Sequence, residues 1–282
     1  MNCGHAPLIS IIVAVFNGEA TLQQCIDSVT QQTFPNKELI IIDGGSKDRT
    51  VDLLRENRDK IAFWISEPDC GIYNAWNKGL AQAHGEWVCF LGADDYFWDA
   101  HVLERMATQL EKLPPDVRVA YGQIMLLDAD GESLYPVGEP WEKIKERFRK
   151  IMCIPHQGVM HRRSLFELHG QFDESFHITG DYEFLLRELK AADAVFIPDV
   201  IIAGMRQRGI SSRPENSLAL LREVRRAQLM HGQYLPSRIW LMATMNAYVR
   251  MLLWSMLGER MARKTFDRGR RIMGLPPFWT KT

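Results

Sequence analysis

An alternation in the first hundred residues most constrains what this chain can fold into. Four short apolar runs, rich in β-branched or aromatic residues, are separated by three stretches whose apolar residues recur at helical spacing. Leu8 to Val15 is almost wholly apolar, as a strand must be when helices cover both faces of a parallel sheet. After the turn at Asn17-Gly18, the residues Leu22, Cys25, Ile26 and Val29 trace one helix face, and Pro35-Asn36 breaks the chain before a second buried run, Glu38 to Asp43. The pattern repeats with a helix through Val51, Leu53 and Leu54, a short strand from Ala62 to Ile65, a helix from Ile72 to about His84, and a strand from Trp87 to Leu91. Right-handed crossovers then put helices on both faces of an open, doubly wound, Rossmann-like α/β sheet.

In such a sheet ligands bind beyond the carboxyl ends of the strands. The residues there are Phe16-Asn17, Asp43-Gly44-Gly45-Ser46, Glu67-Pro68-Asp69 and Gly92-Ala93-Asp94-Asp95, so three of the four ends carry carboxylates. Hard divalent cations such as Mn²⁺ or Mg²⁺ prefer oxygen ligands, and one or two carboxylates plus substrate phosphate oxygens satisfy them. Asp94-Asp95 therefore reads as a metal-diphosphate site, with Asp95 the ligand. Its structural alternative is a plain turn that caps a helix near His101.

Composition narrows the partners. The chain has 282 residues, 46% hydrophobic and 24% charged, with a formal net charge of -1, which excludes a polyanion-coating surface and makes nucleic acid a poor partner. Cys3, Cys25, Cys70, Cys89 and Cys153 are odd in number and never spaced as C-x-x-C, so the expected setting is reducing and cytoplasmic. The apolar run from Leu8 to Val15 has no basic leader and reads as a strand, not a signal peptide.

Beyond Pro114-Pro115 the alternation gives way to a strand-like run from Val117 to Leu127, a turn at Asp128 to Gly131, a charged helix from Trp141 to Lys150, a helix from Tyr182 to Ala191 and a short strand at Val195 to Ile197. From Asn216 onward the chain reads as helix. The expected divisions are 1–113 (nucleotide side), 114–213 (a mixed acceptor side) and 214–282 (helical extension).

These stretches together resemble the family 2 glycosyltransferases of the GT-A fold, inverting enzymes that commonly build bacterial surface polysaccharides. The likeness rests on Ile11 to Asn17, Ile41 to Thr50, Ser66 to Gly79 and Gly85 to Asp95, in the expected order. It implies that Ala14 and Phe16 line a nucleobase pocket with Asp43 beside it, that Asp94 faces the donor's ribose or sugar, and that Asp95 faces Mn²⁺ or Mg²⁺. The donor would be a nucleotide diphosphate-sugar with UDP as its nucleotide, and the acceptor a sugar or lipid-linked sugar. One position departs from the family, where two adjacent aspartates often follow strand two: here the second is Gly44, and Asp69 on the next strand end is the substitute acceptor for the base.

The resemblance also makes Asp181, in Gly180-Asp181-Tyr182-Glu183, the general base, with Glu183 in reserve; the alternative for Asp181 is a helix N-cap. Asn77 and Lys78 read as donor-site supports, or as a structural hydrogen bond and a solvated face. His156 reads as an acceptor-side contact or a core histidine. Arg208, in the Gly- and Ser-containing run after Arg206, suits a mobile lid that contacts diphosphate. The apolar segment from Ile239 to Leu257 is interrupted by Arg250, which disfavours a spanning helix, and a basic stretch from Arg260 to Arg271 follows. Residues 236–271 thus read as a peripheral membrane contact or as a core or homodimer helix.

Two rival functions share some of these features. A sugar-phosphate nucleotidyltransferase wants a glycine-rich loop after strand one, which Val15 to Glu19 is not. An inactive nucleotide-sugar-binding subunit would keep the strand ends and lose the base.

Overall fold

The computed structural model describes residues 9–128, 131–206, 216–272, 274 and 280. The first half follows the predicted alternation: β1 (Ile9–Val15), α1 (Leu22–Thr30), β2 (Lys37–Asp43), α2 (Thr50–Glu56), β3 (Phe63–Ser66), α3 (Ile72–Leu80) and β4 (Trp87–Gly92). The remainder is β5 (Tyr96–Phe97), α4 (Val102–Leu110), β6 (Val119–Leu127), β7 (Ser133–Val137), α5 (Trp141–Phe148), β8 (Val159–Arg162), α6 (Arg163–His169), α7 (Gly180–Leu189), β9 (Val195–Arg206), α8 (Ser217–Met230) and α9 (Arg238–Ile272).

One mixed sheet runs in the order β3-β2-β1-β4-β8-β6-β9-β5, with β7 on β6. The first four strands are parallel. β8 enters antiparallel to both β4 and β6, whereas β6 and β9 are parallel. The β1 run is apolar throughout because both its faces are covered: Ile9, Ile11, Val13 and Val15 pack into one core cluster and Ile12 into the other. From β1 the chain moves outward to β2 and β3 and then returns to β4 on the other flank, so a topological switch point lies between β1 and β4. There Ala14 is paired in register with Gly92.

Three differences from the sequence reading have physical reasons. β9 extends to Arg206 rather than ending at Ile197, because it pairs with β6 through two register irregularities and so passes the polar Pro198-Asp199. The two-residue β5 and four-residue β8 are too short to show periodicity, and only their sheet neighbours make them strands. The C-terminal helix is interrupted: α8 ends at Met230, and α9 breaks at Gly258, whose φ of 69° no helix accommodates. Trp254 stacks on Phe266 across that break.

The first part of α9 has two apolar faces. Ala247 is buried, Trp240 and Trp254 are half-buried, and Trp240 Nε1 donates to Leu221 O of α8. Opposite them Leu241, Met245, Val249, Leu252 and Met256 share one exposed face, with Met242 and Tyr248 at its margins. The tryptophans thus point into the protein, and the outward residues are aliphatic, Met and Tyr.

Candidate active site

The loops after β1 and β2 are tied to each other. Asn17 N–H donates to Ser46 Oγ (2.7 Å), Gly18 N–H to Thr50 Oγ1 (2.8 Å), and Lys47 N–H to Asn17 Oδ1 (2.9 Å). Asp43 anchors this knot: it is fully buried and accepts from the Ser46 amide and hydroxyl and from Ser66 Oγ. Its oxygens are engaged by Ser46 and Ser66, so Asp43, expected beside the base, orders the loop there. Phe16, by contrast, is 64% exposed beside that knot, and Ala14 is half-buried.

The space that a second aspartate would fill at position 44 is taken by Asp69. A Cβ on Gly44 would lie 2.6 Å from Asp69 Oδ2, while Asp69 Oδ1 accepts from Gly71 N–H, just before α3 (2.9 Å). Lys78 pairs with Glu67 (2.8 Å) and closes the same loop. Asn77 is buried and clips α3 to the loop before α7, donating to Phe172 O and Glu174 Oε1 and accepting from Phe172 N–H. All its usual capacity is used, so Asn77 orders the site from behind rather than facing a ligand.

Asp94 and Asp95 form a turn, with Asp95 N–H bonded to Gly92 O, but they cap no helix: α4 is preceded by His101, whose amide bonds to Asp99. Both carboxylates fold back over Gly92, where an added Cβ would lie 2.6 Å from Asp95 Oδ2 and 2.8 Å from Asp94 Oδ1. Asp95 is buried, and burial together with the Asp94 charge pushes its pKa up to about 8, against hydrogen bonds from the Arg206 amide (3.1 Å) and the Gln157 side chain. Two converging carboxylates suit a hard divalent cation. Among the described residues no group of three or more His, Cys, Asp or Glu gathers as a complete protein site. Any cation here would need substrate oxygens. Arg206 ends β9 at this pair, and Arg208 lies outside the described residues.

His156 sits in the aromatic core, its ring stacked on Trp76 at 4.8 Å, and burial holds it neutral. Of its two expected roles, this position is that of a core histidine. Glu183 is also buried, held by Arg187 and by His231 (3.0 Å), and therefore unavailable as a reserve base.

Asp181 stands in the first turn of α7, but the N-cap position is Thr179. Its Oδ1 accepts from Tyr182 N–H (2.8 Å) and lies 3.4 Å from Tyr73 Oη. Burial, helped by the Glu223 charge, raises its pKa to about 6. Glu223, on α8, accepts the backbone N–H groups of His177, Ile178 and Thr179, each at 2.9 Å. Sequence reading missed Gln157 and Glu223, since nothing local marks a residue that acts 44 positions away.

A doubly wound parallel half joined to a mixed second half, with paired carboxylates at the switch point, is the architecture of the GT-A glycosyltransferases. The family model for glycosyl transferase family 2 matches residues 10–167. A PGL/p-HBAD biosynthesis glycosyltransferase of Mycobacterium tuberculosis is 32% identical over 185 residues, 64% of this chain and 70% of that one. The chain belongs to glycosyl transferase family 2 and is a glycosyltransferase.

Three solved structures of two proteins are similar in fold. S. aureus TarS superposes with a TM-score of 0.63 at 18% identity over 92% of this chain, which spans 47% of TarS; a TarS 1-349 structure in complex with UDP-GlcNAc gives 0.62 at 19%, covering 88% and 73%. A mannosyltransferase from Pyrobaculum calidifontis, in complex with GDP-Man and Mn²⁺, gives 0.61 at 18% identity, covering 98% of this chain and 83% of that one.

Proposed function

We propose that the chain transfers a sugar, with inversion, from a nucleotide diphosphate-sugar, UDP as the nucleotide, to a hydroxyl of a sugar or lipid-linked sugar. The observation that carries this reading is the first turn of α3: Gly71 at its start binds Asp69 over the donor loop, and Tyr73, two residues on, meets Asp181. One short element thus joins a donor-side carboxylate to a carboxylate with its pKa near 6. An inactive subunit would have no use for a carboxylate tuned in this way.

Phe16 stacks on the base, and Asp69 accepts the base's imide N–H in place of an aspartate at position 44. Asp94 faces the ribose or sugar, and Lys78 supports the loop beneath the donor. Asp95 would hold Mn²⁺ or Mg²⁺, which when bound neutralises charge on the departing diphosphate. Asp181 takes the proton as the acceptor oxygen bonds to the anomeric carbon. The bond to the diphosphate breaks on the opposite face, and no covalent intermediate forms.

UDP-sugars and GDP-sugars are to be screened for thermal stabilisation and nucleotide release with and without Mn²⁺. Stabilisation and UDP release dependent on Mn²⁺ are expected; metal-independent binding would remove Asp95 from its role, and preference for GDP-sugars would overturn UDP as the nucleotide. Glu223 gives a second test. The Glu223→Gln variant keeps an acceptor but loses the charge, so the acid limb of kcat moves to lower pH while the chain loses roughly 1–3 kcal/mol of stability through weakened amide bonds. A destabilised variant with an unmoved limb would leave Glu223 a purely structural tie.

A further inference from the structure

We propose that Tyr73 is a positioning residue for the base: its hydroxyl holds Asp181 by one carboxylate oxygen, Oδ1, and so presents the other, Oδ2, to the acceptor. The inference rests on the transfer reaction proposed above, in which Asp181 takes the acceptor proton. Tyr73 lies in the first turn of α3 and is buried, its ring edge-on to Trp76 at 5.3 Å and tilted against Phe172 at 5.7 Å. Those contacts leave the phenol little freedom beyond rotation of its O–H. A buried phenol needs a partner for that O–H, and here it is the carboxylate: Tyr73 Oη donates to Asp181 Oδ1 across 3.4 Å. The amide groups of Gly180 and Asp181 act on the same phenol oxygen. Burial, helped by the Asp181 charge, holds the phenol well above the ordinary tyrosine range, so it keeps its proton and serves Asp181 as a donor.

Position 180 is fitted to the same contact. A Cβ on Gly180 would lie 2.8 Å from Tyr73 Cε2 and 2.9 Å from Cζ, so a larger residue there would push the phenol away from the carboxylate. Gly180 is not among the glycines with positive φ, so the approach of the ring, and not the backbone, is what calls for glycine at the start of α7. Tyr182 N–H also binds Oδ1 (2.8 Å), which puts both of these bonds on one oxygen. Two neighbours then act on the base in opposite senses: the Glu223 charge, from α8, opposes ionisation of Asp181, whereas the Tyr73 O–H, from α3, favours it. In the transfer the acceptor proton passes to Oδ2 as the acceptor oxygen bonds to the anomeric carbon, the diphosphate leaves with the bonding pair, and Tyr73 keeps its own proton.

The test is Tyr73→Phe, which keeps the ring and removes the O–H. In the full chain labelled with ¹³C at the aspartate carboxyls, the Asp181 signal, assigned by its loss in Asp181→Asn, should titrate about one pH unit higher in the variant than in the parent. Gly180→Ala, which displaces the ring instead of trimming it, should move the signal in the same direction. With a UDP-sugar as donor, kcat of Tyr73→Phe should fall roughly 10- to 100-fold and its acid limb should move to higher pH, the reverse of the shift in Glu223→Gln, while the donor KM stays as in the parent. An Asp181 signal that titrates in Tyr73→Phe as in the parent, or at lower pH, would make Tyr73 a core residue only and overturn the proposal. Full turnover in Asp181→Asn would instead overturn the base reading beneath it, and the titration, which needs no substrate, tells the two failures apart.

Discussion

Replacing Asp181 by Asn should lower kcat by roughly 10²- to 10⁴-fold while making the protein more stable at alkaline pH. The activity loss follows from removing the group that takes the acceptor proton. The stability gain follows from the carboxylate's environment. Its folded pKa, about 6, lies above the ordinary aspartate value of 3.8 because burial disfavours the charge. A carboxyl with a raised folded pKa binds its proton more tightly in the folded state, so its contribution is most favourable below the unfolded value and is lost as pH rises through the folded one. At pH 8 the ionised group costs on the order of 2–3 kcal/mol, which the neutral amide avoids. The difference in stability between variant and parent should therefore shrink as pH falls from 8 to below 4. Chemical denaturation at several pH values, with turnover of the donor identified by screening, checks both halves. In the parent, kcat should fall below pH 6 as Asp181 protonates. Unchanged turnover in the variant would sink the base assignment, whatever its stability.

At the other end of the site, Asp95→Asn should abolish the response to Mn²⁺ and lower turnover by about 10³-fold, the scale of several kcal/mol of charge stabilisation. The amide keeps an oxygen for the Arg206 N–H, so the fold should persist. Gly92→Ala tests the same centre without touching a carboxylate. Its methyl group would stand 2.6 Å from Asp95 and 2.8 Å from Asp94, forcing the two apart, so Mn²⁺ binding in the presence of UDP should weaken by roughly 10- to 100-fold at nearly unchanged stability. Calorimetric titration of Mn²⁺ reads this directly. If Gly92→Ala binds the cation as its parent does, the convergence of the two carboxylates is not what holds it.

Much of the parallel half was legible in the sequence, because a strand covered on both faces must be apolar along its length and a helix between strands must be so on one face. Those rules found β1 to β4, the switch point and the carboxylates beside it. Family likeness then marked Asp181, which the structure puts in the first turn of α7, with burial raising its pKa. The same rules were silent where partners come from far along the chain. Whether Asp43 faces a ligand or Ser46 and Ser66 depends on how three loops converge, and Asn77 became a clip only when Phe172 arrived beside it. His156 joined the aromatic core because β8 inserted between β4 and β6.

The sequence by itself determined the order of the parallel strands' elements and which strand ends carry oxygen ligands, since both follow from local periodicity and residue chemistry. Tertiary structure alone decided where each carboxylate goes: Asp69 over Gly44, Asp94 and Asp95 over Gly92, Glu183 to Arg187 and His231. It also decided which of the two apolar faces of α9 meets the protein. Helical spacing reports that a face is apolar, but only the packing of Trp240 against α8 shows which face is left for something else.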